Sequence, residues 1–154
     1  MATVYSVQKT KWNQNVPAEA IDTNELGGRI RVAHAVYEAS ALASGDVIEM
    51  FNIPNGARLL EGSLAHDALG SSTTLSVGHE AYTNSAGTAV SAAAAAYKAA
   101  AASTSAQKVD VLATLALGSG TVVDTNKDGL PVAVTMGGAA GTGTIELTFK
   151  YVID

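Results

Sequence analysis

Residues 45–78 read GDVIEMFNIPNGARLLEGSLAHDALGSSTTLSVG, and their reading decides the fold. Three short apolar runs lie in the stretch, at 47–53, 57–64 and 73–77. Pro54-Asn55-Gly56 and Gly70-Ser71-Ser72 separate them. Proline sets φ and lacks an N–H, and glycine reaches positive φ, so Pro-Asn-Gly is a turn with a mechanism. Each run has strand length and is too short for a globular helix. The stretch therefore predicts three successive antiparallel strands, with the flanking chain adding strands to the same sandwich. Thr73, Leu75 and Val77 alternate with Thr74 and Ser76, as in a sheet with one wet face. Leu60, Gly62 and Leu64 share a face of the second run. In the first run Ile48 and Met50 lie on one side, and Val47, Phe51 and Ile53 on the other. That double-sided pattern predicts a central strand, or one covered by another subunit.

At 154 residues the chain has the size of one domain, large enough for a core without staples. It has no cysteine, so neither a disulfide nor thiol chemistry is available. The first residues, MATVYSVQKTKW, carry no apolar core of the kind a secretory signal needs. No run approaches about 20 strongly apolar residues, so no membrane span is expected. The net charge is −5, and only 15% of residues are charged. A free soluble chain carries about 25%. So few charges, among many small residues, fit either a surface partly hidden by partners or simply a small-residue β protein. The nine lysines and arginines are scattered without aromatic interleaving, which argues against nucleic-acid binding.

Outward from the central stretch, residues 1–26 read as an extended arm. Tyr5, Val7 and Trp12 stand among Gln, Lys, Thr and Asn, and Val16-Pro17 breaks any regular element. Such a segment buries too little apolar surface alone to offset its ordering entropy. It lies over its own sheet or reaches a neighbouring subunit. Trp12 is the only tryptophan, a residue enriched at binding hot spots. Gly27-Gly28 then opens a strand with Ile30, Val32, His34 and Val36 in one row. Residues 91–102, SAAAAAYKAAAA, have the strongest helix propensity in the chain, with Thr88 or Ser91 as cap. They predict a helical or loop insertion within 81–107, docked by Val90 and Tyr97. Residues 109–117 alternate as a strand, Pro131 begins another, and 144–153 alternate most regularly of all. The fold class is an all-β antiparallel sandwich over 27–154, with the arm and the Ala-rich insertion attached.

Few residues offer chemistry. His34 reads as a hydrogen-bonded buried histidine rather than a ligand. His66 and Asp67, and His79 and Glu80, follow strands and read as loop residues rather than a metal or acid–base site, because a metal needs three or four converging ligands. Asp124, Asn126, Asp128 and Gly129 match the first half of a calcium loop, but Thr135 stands where a bidentate glutamate belongs. A polar hairpin loop is the stronger reading. No catalytic, cofactor-binding or metal residue is assigned, and no cofactor is expected.

Together, Gly27-Gly28, Gly45-Asp46-Val47-Ile48, Ile53-Pro54-Asn55-Gly56-Ala57, Leu60-Glu61-Gly62, the phrase 69–78 and the last strand after a Gly-rich loop suggest a family. Their order resembles the decoration, or cement, proteins of tailed bacteriophages, including those of cyanobacteria, over roughly 27–80 and 131–152. The Ala-rich stretch and the arm fall outside the resemblance. It implies a β-sandwich, often jelly-roll-like, without catalytic residues, made in the host cytoplasm and carried on the outer capsid surface of the virion. It also implies a homotrimer that clamps the major capsid protein, with no nucleic-acid or membrane partner. The arm with Tyr5 and Trp12 is the expected contact between subunits. The alternative is a receptor- or glycan-binding module of a phage fibre or tail, which would stack sugar on an exposed aromatic ring. A metal enzyme built on His34, His66 and His79 lacks the H-x-H spacing that puts two ligands on one strand face.

Overall fold

The computed structural model describes residues 4, 6–13 and 25–153. A short helix, α1 (Val7–Asn13), comes first. Ser6 caps it, its Oγ accepting from Lys9 N–H at 3.2 Å and its carbonyl from Thr10 N–H at 2.9 Å. Part of the expected extended arm is thus helical, because a serine oxygen satisfies the first free donors. Ten strands follow: β1 (Ile30–Leu42), β2 (Val47–Ile53), β3 (Arg58–His66), β4 (Thr73–His79), β5 (Tyr82–Thr83), β6 (Ala89–Val90), β7 (Ala93–Ala102), β8 (Gln107–Val111), β9 (Leu130–Gly138) and β10 (Gly141–Val152).

Two four-stranded sheets face each other, ordered β1-β10-β3-β8 and β2-β9-β4-β7. Every neighbouring pair is antiparallel. The hairpin β5–β6 stands apart. Among the eight long strands, the first pairs with the last and the second with the next to last, which is jelly-roll topology. The three strands of 45–78 therefore do not pair with one another. β2 and β4 belong to one sheet and β3 to the other, so the chain crosses the core twice. Links 54–57 and 67–72 exceed the two residues of a tight hairpin and span the ~10 Å between packed sheets.

The central position expected as one of the two causes of the double-sided pattern of β2 is not observed. β2 is an edge strand, and its pairing with β9 slips between Glu49↔Ala133 and Phe51↔Val132. Met50 is the extra residue of a bulge, and the strand changes phase there. Ile48 before the bulge and Ile53 after it both reach the core. β10 keeps the alternation that its sequence carries: Ile145, Leu147 and Phe149 are fully buried between the sheets. They meet Leu64 of β3, and Leu75, Val77, Val132 and Val134 of the facing sheet.

The Ala-rich stretch is a strand, β7, not a helix or loop insertion. It pairs with β4 and completes the second sheet. Alanine's helical advantage is at most about 0.7 kcal/mol per residue over ordinary residues. Edge pairing and the burial of Tyr97 against the core outweigh it. Small side chains also suit the place, for Gly78 comes so close that a Cβ there would lie 1.8 Å from the Ala93 carbonyl oxygen. Val90 and Tyr97 share no helical face; Val90 lies in β6 opposite Tyr82. The strand expected at 109–117 stops early. β8 ends at Val111, Leu112 turns to φ 61°, and a 3-10 turn (Leu115–Leu117) follows, capped by Thr114.

Candidate interaction surface

Among the described residues β1 is an edge strand of its sheet and the longest strand. Its register on β10 sets which row looks outward. Val32 lies opposite Lys150, His34 opposite Thr148 and Val36 opposite Glu146, whereas Ala33 and Ala35 lie opposite the buried Phe149 and Leu147. The row Ile30, Val32, His34 and Val36 therefore faces solvent, and all four are exposed. Farther across the same face the sheet is polar, with Lys150 paired to Glu61 and Asp110 opposite Ser63.

Two further exposed apolar residues, Trp12 and Leu26, precede β1 in sequence. Trp12 of α1 is 66% exposed and, with Leu26, Gln8 and Lys9, lines a shallow groove of about 300 Å³. Glu25 is held to the body by an ion pair with Arg58 at 3.1 Å. Of the eleven exposed large apolar residues among those described, eight fall between Val4 and Tyr37, and the first buried core residue is Ala39. Of these, Ile30, Val32 and Val36 stand together in the outward row of β1, and apolar residues grouped on one face, unlike ones scattered singly, suit a contact surface. Of the two expected interface residues, Trp12 is exposed and Tyr5 falls outside the described residues.

The histidines do not converge. His34 is exposed, against the expectation of burial, because its row faces outward; its Nδ1 bonds Thr148 Oγ1 at 2.9 Å. His66 is buried at the end of β3, with Nδ1 donating to the Asp67 carbonyl at 2.8 Å. His79 ends β4 and donates to the Glu80 carbonyl at 3.0 Å, its ring edge-on to Tyr82. The link 67–72 joins the end of β3 to the start of β4, so His66 and His79 stand at opposite ends of the sandwich. An open cleft of about 290 Å³ lies beside His66 and Asp67, bordered by Lys108, Thr144 and Glu146.

In the calcium-like loop the side chains turn to the chain itself. Asp124 accepts from the Ser85 amide and hydroxyl, Asn126 Oδ1 accepts from Asp128 N–H, and Asp128 Oδ2 accepts from Asn126 Nδ2. Among the described residues no group of three histidine or acidic side chains is placed to hold a metal. None of the helices described is long and apolar enough to cross a membrane.

Two carboxylates are held in the ionised form. Hydrogen bonds from Thr144 keep Asp67 below its ordinary value of 3.8, and those from Ser85 do the same for Asp124. A depressed folded-state value means that the stabilisation is complete above the unfolded value and disappears as pH falls through the folded one. Urea midpoints are accordingly expected to hold steady from neutral pH to about pH 5 and to fall below about pH 4. Asp67→Asn with Asp124→Asn should flatten that acid limb; an unchanged limb would place its origin elsewhere.

Neither a family model nor a curated protein sequence matches the chain. Solved structures do. A chain of the cyanophage Pam1 capsid asymmetric unit is similar over 100% of both chains, at 18% identity and a TM-score of 0.62. A chain of the Ralstonia phage GP4 capsid is 24% identical over 82% of this chain and 86% of its own, with a TM-score of 0.61. One from the Helicobacter pylori bacteriophage KHP30 capsid is 16% identical over 80% of this chain and 87% of its own, with a TM-score of 0.52. The fold of this protein is thus one found in bacteriophage capsids.

Proposed function

We propose that this protein is a structural component of a bacteriophage virion, a decoration protein that binds the outer surface of the major capsid protein lattice as a homotrimer. The observation that carries this reading is the end-to-end likeness to a chain of a phage capsid. The exposed apolar residues Trp12, Leu26, Ile30, Val32 and Val36 support it, since a protein that works by gripping neighbours needs apolar contacts on its surface. In this reading the arm, residues 1–26, and the sandwich, residues 27–154, divide the work: the sandwich gives a rigid body, and the arm with Tyr5 and Trp12 reaches a neighbouring subunit. Each copy buries modest area, and repetition across a lattice turns weak single contacts into a tight shell.

The test is sedimentation of purified protein with assembled phage heads, and imaging of where it sits. The expected result is stoichiometric, saturable binding to the outside of the shell. Recovery only in the unbound fraction, at all concentrations, would overturn the reading.

A further inference from the structure

The Asn55-Gly56 pair in the turn between β2 and β3 is the one Asn-Gly in the sequence. Such a pair carries its own chemistry. The backbone nitrogen of the glycine can attack the side-chain amide carbon of the asparagine, and no glycine side chain shields that nitrogen. In the fold both reacting groups are engaged. Gly56 N–H donates to the Val123 carbonyl at 2.9 Å. Asn55 Oδ1 accepts from Thr125 N–H at 3.0 Å. Neither bond stands alone. Val123 N–H donates to the Ala57 carbonyl at 2.8 Å, Leu59 N–H to the Thr121 carbonyl at 2.9 Å and Gly120 N–H to the Leu59 carbonyl at 2.8 Å, with Arg58 paired to Val122. Segment 120–125 thus lies antiparallel along 55–59. The Asn55 side-chain oxygen extends that ladder in place of a main-chain carbonyl. Val123 and Thr125 are buried, whereas Asn55 itself is exposed to water.

We infer that Asn55 is a latent deamidation site, closed while segment 120–125 is paired to the turn and reactive once that segment lifts. Ring closure forms a bond from Gly56 N to Asn55 Cγ and breaks the bond from Cγ to Nδ2. The Gly56 proton leaves with the amide nitrogen as ammonia. Water then opens the succinimide at either carbonyl, giving aspartate or isoaspartate. The first step needs Gly56 N–H released from Val123 and the Asn55 amide released from Thr125. Its rate therefore follows the fraction of molecules in which this ladder is open. The two products differ in consequence. An aspartate oxygen accepts from Thr125 N–H as the amide oxygen did. An isoaspartate routes the main chain through Cγ, lengthens it by one carbon and carries Gly56 N–H out of line with Val123. Deamidation thus turns a passing release of the segment into a lasting defect at the crossing from β2 to β3.

The test compares the folded protein with the same chain held in urea above its unfolding midpoint, at one mildly alkaline pH. Peptide mapping by mass spectrometry reads conversion at Asn55, and hydrogen exchange reads the opening of the Gly56 amide. In urea Asn55 should convert before any other asparagine. In the folded protein its conversion should be at least about tenfold slower, with the Gly56 amide protected alongside it. Arg58→Ala removes the guanidinium that donates to the Gly120 carbonyl at 2.7 Å. Val122→Gly loosens the same segment at an exposed position, and serves if Arg58→Ala does not fold. In a folded variant, conversion at Asn55 and exchange at Gly56 should rise together. Equal conversion in the folded and unfolded states overturns the inference. So does conversion that stays constant while Gly56 exchange rises.

Discussion

Gly78→Ala is expected to cost at least about 3 kcal/mol and to free the outer strand of the second sheet. Gly78 lies in β4, where β7 crosses over it out of simple register: the pairing passes from Val77↔Lys98 to His79↔Ala93. A Cβ at Gly78 would lie 1.8 Å from the Ala93 oxygen and 2.6 Å from the Ala94 carbonyl carbon. Both obstacles are backbone, so no rotamer change relieves the clash. The strand must move away, and Tyr97 moves with it. Gly87→Ala is the control. That residue has positive φ, 82°, and nothing lies within 4 Å of a Cβ there. Its cost should be limited to backbone strain, about 1 kcal/mol. Denaturant midpoints measure both, and amide exchange across 93–102 shows where protection is lost. A Gly78→Ala protein as stable as the parent would mean that the alanines do not lie on β4.

The alanines also mark the limit of what sequence pattern conveys. Period-two alternation was enough to read β10 and β4, because one face of each is apolar and the other is not. It could not read β7, where eight of ten residues are alanine and both faces look alike. There the intrinsic preference of alanine was the only local signal, and it pointed to a helix. The deciding facts were distant in sequence: an unpaired edge on β4 and a glycine on it that admits a close backbone. The bulge in β2 was legible as an anomaly, apolar residues on both sides, but its cause lay in the pairing with β9. The crossings between sheets were hidden for a related reason. A turn signal says that the chain reverses, not whether the next strand joins the same sheet.

The proposed interaction surface was half legible. A lone tryptophan in a polar arm pointed to Trp12 from composition alone. The row Ile30, Val32 and Val36 looked like an ordinary inner face. Only the register on β10, which puts Ala33 and Ala35 against the core, turned it outward. The signal that could have found it is the small size of that other row. Alanines alternating with valines leave it open which row is inside, and here the bulky residues Phe149 and Leu147 on the neighbouring strand already fill the space. The His66 and Asp67 neighbours in sequence read as loop-end residues; what the sequence could not give was Thr144, the donor that holds Asp67 ionised.

Phe149→Ala is expected to cost about 3–5 kcal/mol, the range for deleting a fully buried aromatic ring. The ring holds the two sheets together. It stands edge-on to Phe51 at 5.5 Å and to Tyr97 at 5.6 Å, both from the facing sheet. On its own sheet it fills the space over Gly62, its cross-strand partner, where a Cβ would come 2.8 Å from Phe149 Cδ1. The glycine and the ring therefore make one packing unit. Gly62→Ala alone should cost about 1–3 kcal/mol by overpacking. With Phe149→Ala already in place, the same methyl enters the vacated space, and its cost should vanish or change sign. The double variant should thus be more stable than the sum of the singles predicts, by about 1 kcal/mol or more. Urea unfolding of the four proteins in the cycle measures it. Additive costs would mean that the ring and the glycine do not share a space, and the account of how these sheets are joined would fail with them.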